Sequence, residues 1–243
     1  MNLKALIFDV DGTLADTEEA HRTAFNEAFK QHSLDWYWSK PAYAQLLSIT
    51  GGKERLKAYI DSLPLEHYWH RALIDRIAAI HETKTDIYAS VVATGQVSLR
   101  DGVKRLIDEA AAANVQLAIA STTTLSNIEA LLRTTLGRYS IQRFAVVGAG
   151  DQVRRKKPAP EIYRFVLREL DCSPLECVAI EDSYNGLIAA KNAGLFTVVT
   201  PSYWTRSEDF STADMVLPSL TMLGIREIDR RLAGYDKPGS ATL

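Results

Sequence analysis

The chain has 243 residues, of which 47% are hydrophobic, and its 28 Lys and Arg against 30 Asp and Glu give a formal net charge of −2 at pH 7. This length and apolar content suit a soluble globular protein with one large domain, or with a core domain and a smaller one. The balanced charge argues against nucleic-acid binding, which favours a strongly basic surface. No apolar run approaches the roughly 20 residues of a membrane span, so we expect neither nucleic acid nor membrane as a partner.

The cysteines and the amino-terminal residues bear on the compartment. Cys172 and Cys177 match no disulfide framework, redox motif or zinc pattern, so we expect reduced side chains, as in cytosolic proteins. No basic segment followed by an apolar stretch precedes the first strand, and we therefore predict no secretory signal peptide. The expected location is the cytoplasm, or an organelle stroma if a transit peptide has been removed. The expected state is a monomer.

Five continuous apolar runs predict the strands of the core. They span residues 5–10, 115–121, 144–148, 177–182 and 196–200. Continuous rather than alternating apolar runs are typical of strands buried on both faces of a parallel sheet. Helical patterns separate the later strands, at residues 123–137, 158–170 and 183–194. Alternating strands and helices predict an α/β fold with a doubly wound parallel sheet.

The connection between the first two strands is far longer than a crossover requires. Parallel strands need only a dozen or so connecting residues, and residues 101–115 already supply a crossover helix. Helical patterns also occupy residues 51–63 and 65–92, and Asp16 with Glu19 predicts a capping box at the start of an earlier helix.

We therefore predict an inserted helical domain. The core domain would comprise residues 1–15 and 96–243, and the helical cap domain residues 16–95. Because the insertion begins just after the first strand, the cap would be tethered at the carboxyl edge of the sheet.

Polar residues gather at the predicted carboxyl ends of the strands, where ligands bind in open parallel sheets. They follow four separate segments of the core: Asp9 and Asp11, Ser121 and Thr122, Lys157, and Glu181 and Asp182. A turn or a helix cap would explain each of them singly. Four coincident turn or cap residues are less plausible than one site.

These residue types suit phosphoryl transfer. Several carboxylates bind a hard cation, and Mg²⁺ prefers a few carboxylates together with substrate phosphate and water. A lysine and a hydroxyl at a helix start stabilise phosphate charge, and an aspartate can attack phosphorus to form an aspartyl phosphate. Neighbouring carboxylates tend to have separated pKa values. We expect the ionised one to attack and the protonated one to supply the leaving group's proton and later activate water.

The sequence resembles the haloacid dehalogenase superfamily at four motifs. The stretches that match the superfamily's motifs are "DVDGT" at 9–13, the Ser and Thr that end the second core strand, "KKPAP" at 156–160 and "EDSYNG" at 181–186. The second aspartate of the first motif separates phosphatase-type members from true dehalogenases. The resemblance implies a Rossmann-like core and a helical cap like that of the β-phosphoglucomutase and phosphoglycolate phosphatase group.

The resemblance also implies roles for the motif residues. Asp9 would be the nucleophile and Asp11 the general acid and base. Mg²⁺ would be held by Asp9, the carbonyl of Asp11 and Asp182, with Glu181 in or just outside the coordination shell. The transferring phosphate would be held by Ser121, with Thr122, and by Lys157. Asn127 follows the second motif later than in many relatives, and no role is assigned to it.

Substrate specificity is expected to lie in the cap, which closes over the site and excludes water. In "TGGKER", Gly51 and Gly52 expose backbone amides at a helix start, and Lys53 and Arg55 add positive charge. This stretch, beginning at Thr50, predicts a grip for a second phosphate, against the alternative of an exposed loop. The further candidate substrate contacts are Glu18, His21, Tyr43 and Lys84, against the alternatives of a solvated helix face or cap core.

The stretches "FDVDGTLADTEEAHR", "TGGKER" and "ASTTT" are most similar to the CbbY-like subgroup of phosphatases. Some members dephosphorylate xylulose 1,5-bisphosphate, an inhibitor of rubisco, which the resemblance implies as the leading substrate. The alternatives are a phosphomutase of the β-phosphoglucomutase type and a broad-range sugar-phosphate or phosphoglycolate phosphatase. A non-catalytic binding protein is disfavoured because the acidic and basic set is intact, and a nucleotide-binding oxidoreductase because no G-x-G-x-x-G follows the first strand.

Overall fold

A six-stranded parallel sheet forms the centre of the protein in a computed structural model that describes residues 1–235. The strands follow the order β3-β2-β1-β4-β5-β6. Their bounds are β1 (Ala5–Phe8), β2 (Gln116–Ala120), β3 (Val146–Gly148), β4 (Cys177–Glu181), β5 (Phe196–Val199) and β6 (Met215–Val216). The predicted α/β doubly wound fold and its five strands are confirmed. The edge strand β6 was not predicted, since two residues are too few to show a pattern.

The register of the central strands brings their carboxyl ends together. Phe8 at the end of β1 pairs with Ile119 of β2 on one side and with Ile180 of β4 on the other. The Asp9 amide donates to the Ile180 carbonyl at 3.0 Å. Because the three strands are parallel and in step, the residues that follow them lie side by side at one edge of the sheet.

Five helices occupy the connection between β1 and β2 before the crossover helix. They are α1 (Glu18–Gln31), α2 (Lys40–Leu46), α3 (Gly52–Ser62), α4 (His67–Ile74) and α5 (Ile77–Ala93). We call residues 16–95 the cap segment. The single helix predicted over residues 65–92 is interrupted at Asp75 and Arg76, and α2 was not predicted. The division into two domains at these boundaries stays a prediction.

The predicted capping box at the start of α1 is wrong. The residue that precedes the helix is Thr17, and neither it nor Asp16 caps the helix with its side chain. The Thr17 hydroxyl instead donates to Asp11 Oδ1 at 2.5 Å. A threonine hydroxyl, which commonly caps a helix, therefore donates its hydrogen bond to the Asp11 carboxylate beyond β1.

The cap segment has its own hydrophobic cluster. Phe25 and Phe29, one turn apart on α1, pack against Trp38, with ring centroids 4.8 and 4.9 Å from it. Leu56 and Ile60 of α3 complete the cluster and are fully buried. Burial of large aromatic rings is a strong source of stability, so the cap segment has a packed interior apart from the sheet.

The remaining helices cover the two faces of the sheet. They are α6 (Val103–Ala112), α7 (Leu125–Leu136), α8 (Glu161–Glu169), α9 (Tyr184–Asn192) and α10 (Ile225–Ala233). Alternate residues of β1 point to opposite faces: Leu6 and Phe8 join the cluster with α6, α7 and α10, whereas Ala5 and Ile7 join the cluster with α8 and α9. Both cysteines are free thiols. Within the described part of the chain, no helix has the length and apolar character to cross a membrane.

Candidate active site

One pocket between the carboxyl edge of the sheet and the cap segment brings most of the sequence-predicted residues together. Its empty volume is about 1020 Å³, including its open mouth, which suits a small-molecule site. The predicted residues that line it are Asp9, Asp11, Glu18, His21, Thr50, Gly51, Gly52, Lys53, Arg55, Lys84, Ser121, Thr122, Lys157 and Asp182. Tyr43 and Glu181 lie behind its wall.

A buried ammonium group joins the ends of β1 and β4. Lys157 Nζ donates to Asp9 Oδ1 and to Glu181 Oε1, each at 2.6 Å. Tyr163 of α8 donates its hydroxyl to the same Glu181 oxygen. Burial lowers the pKa of Lys157, but the charges of Asp9 and Glu181 outweigh it and hold that pKa above its usual range. Lys157 therefore stays protonated and fixes the Asp9 carboxylate at the pocket floor.

The acidic groups exceed the positive charge available to them. Oxygens of Asp9, Glu181 and Asp182 lie within 4.8 Å of one another, and Lys157 is the cation that contacts two of them. Burial is the main cause that raises the pKa of Asp9 to about 8, against the lowering effect of Lys157, and Glu181 raises it further. Burial, followed by repulsion from Asp9 and Glu181, also raises the pKa of Asp182 well above its usual range.

This donor set fits a divalent cation. Glu181 Oε2 is buried and has no hydrogen-bond partner among the described residues, and buried polar atoms without partners are rare. Three buried carboxylates are also the ligand type that Mg²⁺ prefers. Glycine at position 12 leaves room for the Asp182 carboxylate, since a Cβ there would lie 2.2 Å from Asp182 Oδ2, and the φ of +81° also favours glycine.

The second aspartate of the "DVDGT" motif lies in a different environment. Asp11 Oδ1 accepts hydrogen bonds from Thr17 and, at 2.9 Å, from His21 Nε2. Burial favours the neutral acid, but His21 and then Thr17 outweigh it and lower the pKa of Asp11 to about 2. The pKa values of the two aspartates are thus separated, but in the reverse of the order that the predicted nucleophile and acid require, because Asp9 shares its space with other carboxylates whereas Asp11 faces donors.

His21 connects Asp11 to a buried lysine. Lys84 Nζ of α5 lies 2.6 Å from His21 Nδ1, and the His21 ring stacks on Tyr88 with centroids 4.0 Å apart. An ammonium group is only a donor, so Nδ1 accepts and the ring proton of a neutral His21 is on Nε2, facing Asp11. Burial lowers the pKa of Lys84 to about 8, although Asp11 raises it.

Ser121 and Thr122 extend the pocket floor beyond β2. Ser121 is 1% exposed, its amide donates to the Gly148 carbonyl, and its hydroxyl accepts from the Thr123 amide. Thr122 lies against Gly150, where a Cβ would be 2.1 Å from the Thr122 carbonyl oxygen. Both predicted phosphate contacts therefore border the same pocket as Asp9 and Lys157.

Arg55 of the predicted second-phosphate grip and Tyr43, a further predicted substrate contact, are both hydrogen-bonded within the cap segment. The Arg55 guanidinium donates to the carbonyls of Leu46 and Ile49 and to the Tyr43 hydroxyl. Tyr43 is fully buried and donates to Glu18 Oε2 at 2.8 Å. Arg55 lines the pocket but directs these donors to α2 and the loop that follows it, whereas Tyr43 belongs to the cap cluster and is not among the lining residues.

Lys53 remains available to a ligand. Its ammonium lies 3.7 Å from Asp151 Oδ2, and both side chains are about half exposed, at 47% and 64%. Such an exposed ion pair is weak and is screened by salt. Lys53 is therefore free to exchange Asp151 for an anionic group of a bound molecule.

Several pocket residues were not predicted from the sequence. His81 lies one turn before Lys84 on α5, and its ring fills the space where a Cβ of Gly52 would be, 2.5 Å from Nε2. Burial, with Lys84 and Lys53 next, lowers the pKa of His81 to about 3, so the ring is neutral. The sequence signal that could have identified His81 was its position one helical turn before Lys84. Asn185, described below, lies within the "EDSYNG" motif at 181–186, and the sequence gave no reason to assign it a role of its own.

Comparisons with known proteins agree with this geometry. A family model described as haloacid dehalogenase-like hydrolase matches residues 3–194. "Protein CbbY" from Cereibacter sphaeroides is 47% identical over 239 residues, which cover 96% of this chain and 97% of that protein.

Two solved structures extend the comparison. A mutant of CbbY from Rhodobacter sphaeroides in complex with xylulose-(1,5)-bisphosphate has a TM-score of 0.86 and 45% identity, covering 93% of this chain and 98% of that one. The β-phosphoglucomutase of Clostridium difficile has a TM-score of 0.76 at 20% identity, covering 96% and 98%, and it shares the fold.

The buried charge of Lys84 is expected to cost stability in a pH-dependent way. The pKa of Lys84 is about 8 in the folded protein against a usual 10.5, so the unfolded chain binds more protons between these values and stability rises with pH. Relative to Lys84→Met, the wild type should gain on the order of 1–3 kcal/mol in free energy of unfolding from pH 7.5 to pH 10. Urea unfolding at both pH values measures this difference. The exposed Lys57→Met variant serves as control, and a difference that stays constant with pH would contradict the buried-charge assignment.

Proposed function

The chain belongs to the haloacid dehalogenase-like hydrolases, and from that premise we propose that it is a Mg²⁺-dependent sugar-phosphate phosphatase that works through an aspartyl phosphate on Asp9. The observation that carries the proposal is the buried Asp9 carboxylate at the end of β1, held by Lys157 and beside Glu181 and Asp182. This arrangement offers a nucleophile, a cation for phosphate charge and a metal donor set at one edge of a pocket.

Asp9 and Asp182 would hold Mg²⁺, with Glu181 in contact or just behind and with the Asp11 carbonyl as a further ligand. When bound, the ion neutralises phosphate charge and stabilises the ionised carboxylates around it. The excess of buried negative charge described above supports this assignment. Gathering these buried carboxylates raises the pKa of Asp9. A neighbouring positive charge acts in the opposite direction, because it favours the charged form of the carboxyl group.

The chain's own residues supply the rest of the transfer. Asp9 Oδ attacks phosphorus, the bond to the sugar oxygen breaks, and the phosphoryl group comes to lie on Asp9. Lys157, Ser121 and Thr122 border the space that the phosphoryl oxygens would occupy, so they would balance the charge on those oxygens. Water then attacks the phosphorus of the aspartyl phosphate and releases inorganic phosphate.

Asp11 would handle the protons through His21. In the resting arrangement Asp11 is a carboxylate, so it is ready to accept the proton of the attacking water. To protonate the leaving sugar oxygen it must first receive a proton, and His21 Nε2 at 2.9 Å is the adjacent source. Protonated Lys84 at His21 Nδ1 would replace that proton from the other side of the ring.

The cap segment supports a substrate with two phosphates. Lys53 lines the same pocket as Asp9 and has an exchangeable partner, so we assign it to the second phosphate. Arg55 supports this lysine by holding the loop that precedes α3. Because the similar CbbY was crystallised with xylulose-(1,5)-bisphosphate, that compound is the leading substrate. The role of residues 16–95 as a closing cap domain belongs to this proposal. The cytoplasmic or stromal location and the monomeric state stay predictions.

The proposal is tested by measuring phosphate release and product identity together, with Mg²⁺, over sugar monophosphates and bisphosphates. We expect stoichiometric phosphate release from xylulose 1,5-bisphosphate, a slower reaction with monophosphates, and loss of activity with EDTA or in Asp9→Asn. A rearranged sugar phosphate without phosphate release would identify a phosphomutase instead. Broad, slow hydrolysis of all substrates would keep the chemistry and contradict the assigned substrate.

The second-phosphate assignment is tested with Lys53→Ala. Because the proposal assigns this lysine to the distal phosphate alone, kcat/KM should fall about 10- to 100-fold for a bisphosphate, the range of a lost charged hydrogen bond, and change little for the matching monophosphate. Lys57→Ala, one turn further along α3 and exposed, is the matched control. Arg55→Ala should slow both substrates, since it releases the loop. An equal loss on both substrates in Lys53→Ala would contradict the assignment.

A further inference from the structure

Asn185 links the core to the cap segment at the pocket mouth. It lies in the first turn of α9, three residues after Asp182, and its Nδ2 donates to the Ser48 carbonyl at 2.9 Å and to Thr50 Oγ1 at 3.0 Å. A backbone carbonyl only accepts, so the amide nitrogen, and not the amide oxygen, must face Ser48. The two hydrogens of one amide group are thus both used on the loop that connects α2 to α3.

That loop carries the cap residues assigned to the substrate. Thr50 is followed directly by Gly51, with a φ of +99°, and by Gly52 and Lys53. Arg55 holds the loop from within the cap segment, through the carbonyls of Leu46 and Ile49. The Arg55 contacts persist wherever the cap segment is, whereas the Asn185 contacts exist only while the loop lies over the core.

Other contacts between cap segment and core do not reach this loop in the same way. The ring of Trp204, on the core, meets the edge of the buried Tyr43 ring at 5.7 Å between centroids, which is a contact to the cap interior. The Lys53–Asp151 pair is half-exposed and long, at 3.7 Å, so it contributes little. Asn185 is the core residue that fixes the backbone preceding the two glycines.

We propose that Asn185 is a positioning residue that couples closure of the cap segment to the placement of Gly51, Gly52 and Lys53 over Asp9. By this coupling the enzyme favours sugar phosphates, which touch the cap loop, over small phosphate esters, which do not. The inference rests on the proposed function, because it assigns the loop to the same substrate. It adds a residue that affects substrate preference without taking part in the chemical steps.

The catalytic test compares two substrates in the full-length protein. In Asn185→Ala, kcat/KM for xylulose 1,5-bisphosphate should fall about 10-fold, the effect of losing two neutral hydrogen bonds, while 4-nitrophenyl phosphate changes less than about twofold. The Mg²⁺ concentration for half-maximal activity should not change. Asn192→Ala, at the exposed far end of the same helix, is the matched control. Equal losses on both substrates, or a weaker Mg²⁺ dependence, would overturn the proposal and place Asn185 with Asp182.

A double-mutant cycle isolates the contact. Thr50→Val removes the hydroxyl and keeps the shape of the side chain. If the contact acts as proposed, the double variant Asn185→Ala/Thr50→Val should lose less than the product of the two single losses for the bisphosphate. Fully multiplicative losses would show that the two side chains act separately and would overturn the proposed coupling. Asn185→Asp, which cannot donate to the Ser48 carbonyl, should behave like Asn185→Ala.

A second readout does not depend on any substrate. Hydrogen exchange of the peptide spanning residues 47–56 should be faster in Asn185→Ala than in the wild type and Asn192→Ala, because the loop loses its contact with the core. Unchanged exchange would overturn the proposal whatever the enzyme hydrolyses. Failure of the substrate panel together with faster exchange would instead refute the assigned substrate and leave the loop contact supported.

Discussion

The buried contact of Lys157 with Asp9 and Glu181 is the constraint on which the rest of the site depends. A parallel sheet presents the ends of β1 and β4 side by side, and the acidic residues that follow those strands would repel one another without a positive charge between them. A buried ion pair contributes little stability on balance, but removing one partner leaves a charge uncompensated. The sheet therefore needs this lysine to hold the acidic groups together. Because Lys157 donates to Oδ1 of Asp9, Oδ2 is the oxygen left for the attack in the proposed reaction.

The two aspartates of the first motif lie in opposite electrostatic environments. Asp9 is surrounded by other carboxylates, so the same crowding that raises its pKa draws a cation to it. Asp11 faces Thr17 and His21 and is stabilised as a carboxylate. Both donors come from the start of α1, which is the first part of the cap segment. The environment of the proposed proton-transfer group is thus set by the insertion, and that of the proposed nucleophile by the sheet. The insertion meets them at the edge of the sheet, where its residues line the same pocket.

Much of this arrangement could be predicted from the sequence, because apolar strand patterns and motif positions are local features of the chain. Continuous apolar runs identified the five long strands, and parallel pairing placed their carboxyl ends together. What could not be predicted depends on packing between distant segments. The hydroxyl of Thr17 caps a carboxylate rather than a helix, and Arg55 binds carbonyls of its own loop rather than remaining free. Asn185 contacts a loop far away in sequence. The reversed pKa order also depends on neighbours that only the folded chain brings together.

The most direct measurement of the central claim is the trapping of a phosphorylated Asp9. The protein is mixed with Mg²⁺ and a sugar bisphosphate, quenched in acid within milliseconds, and digested for mass spectrometry. We expect a transient phosphoryl group on Asp9 that forms and decays at rates compatible with turnover and is absent from Asp9→Asn. Turnover without any label on Asp9, or with the label on another residue, would contradict the nucleophile assignment and with it the reaction proposed for this site.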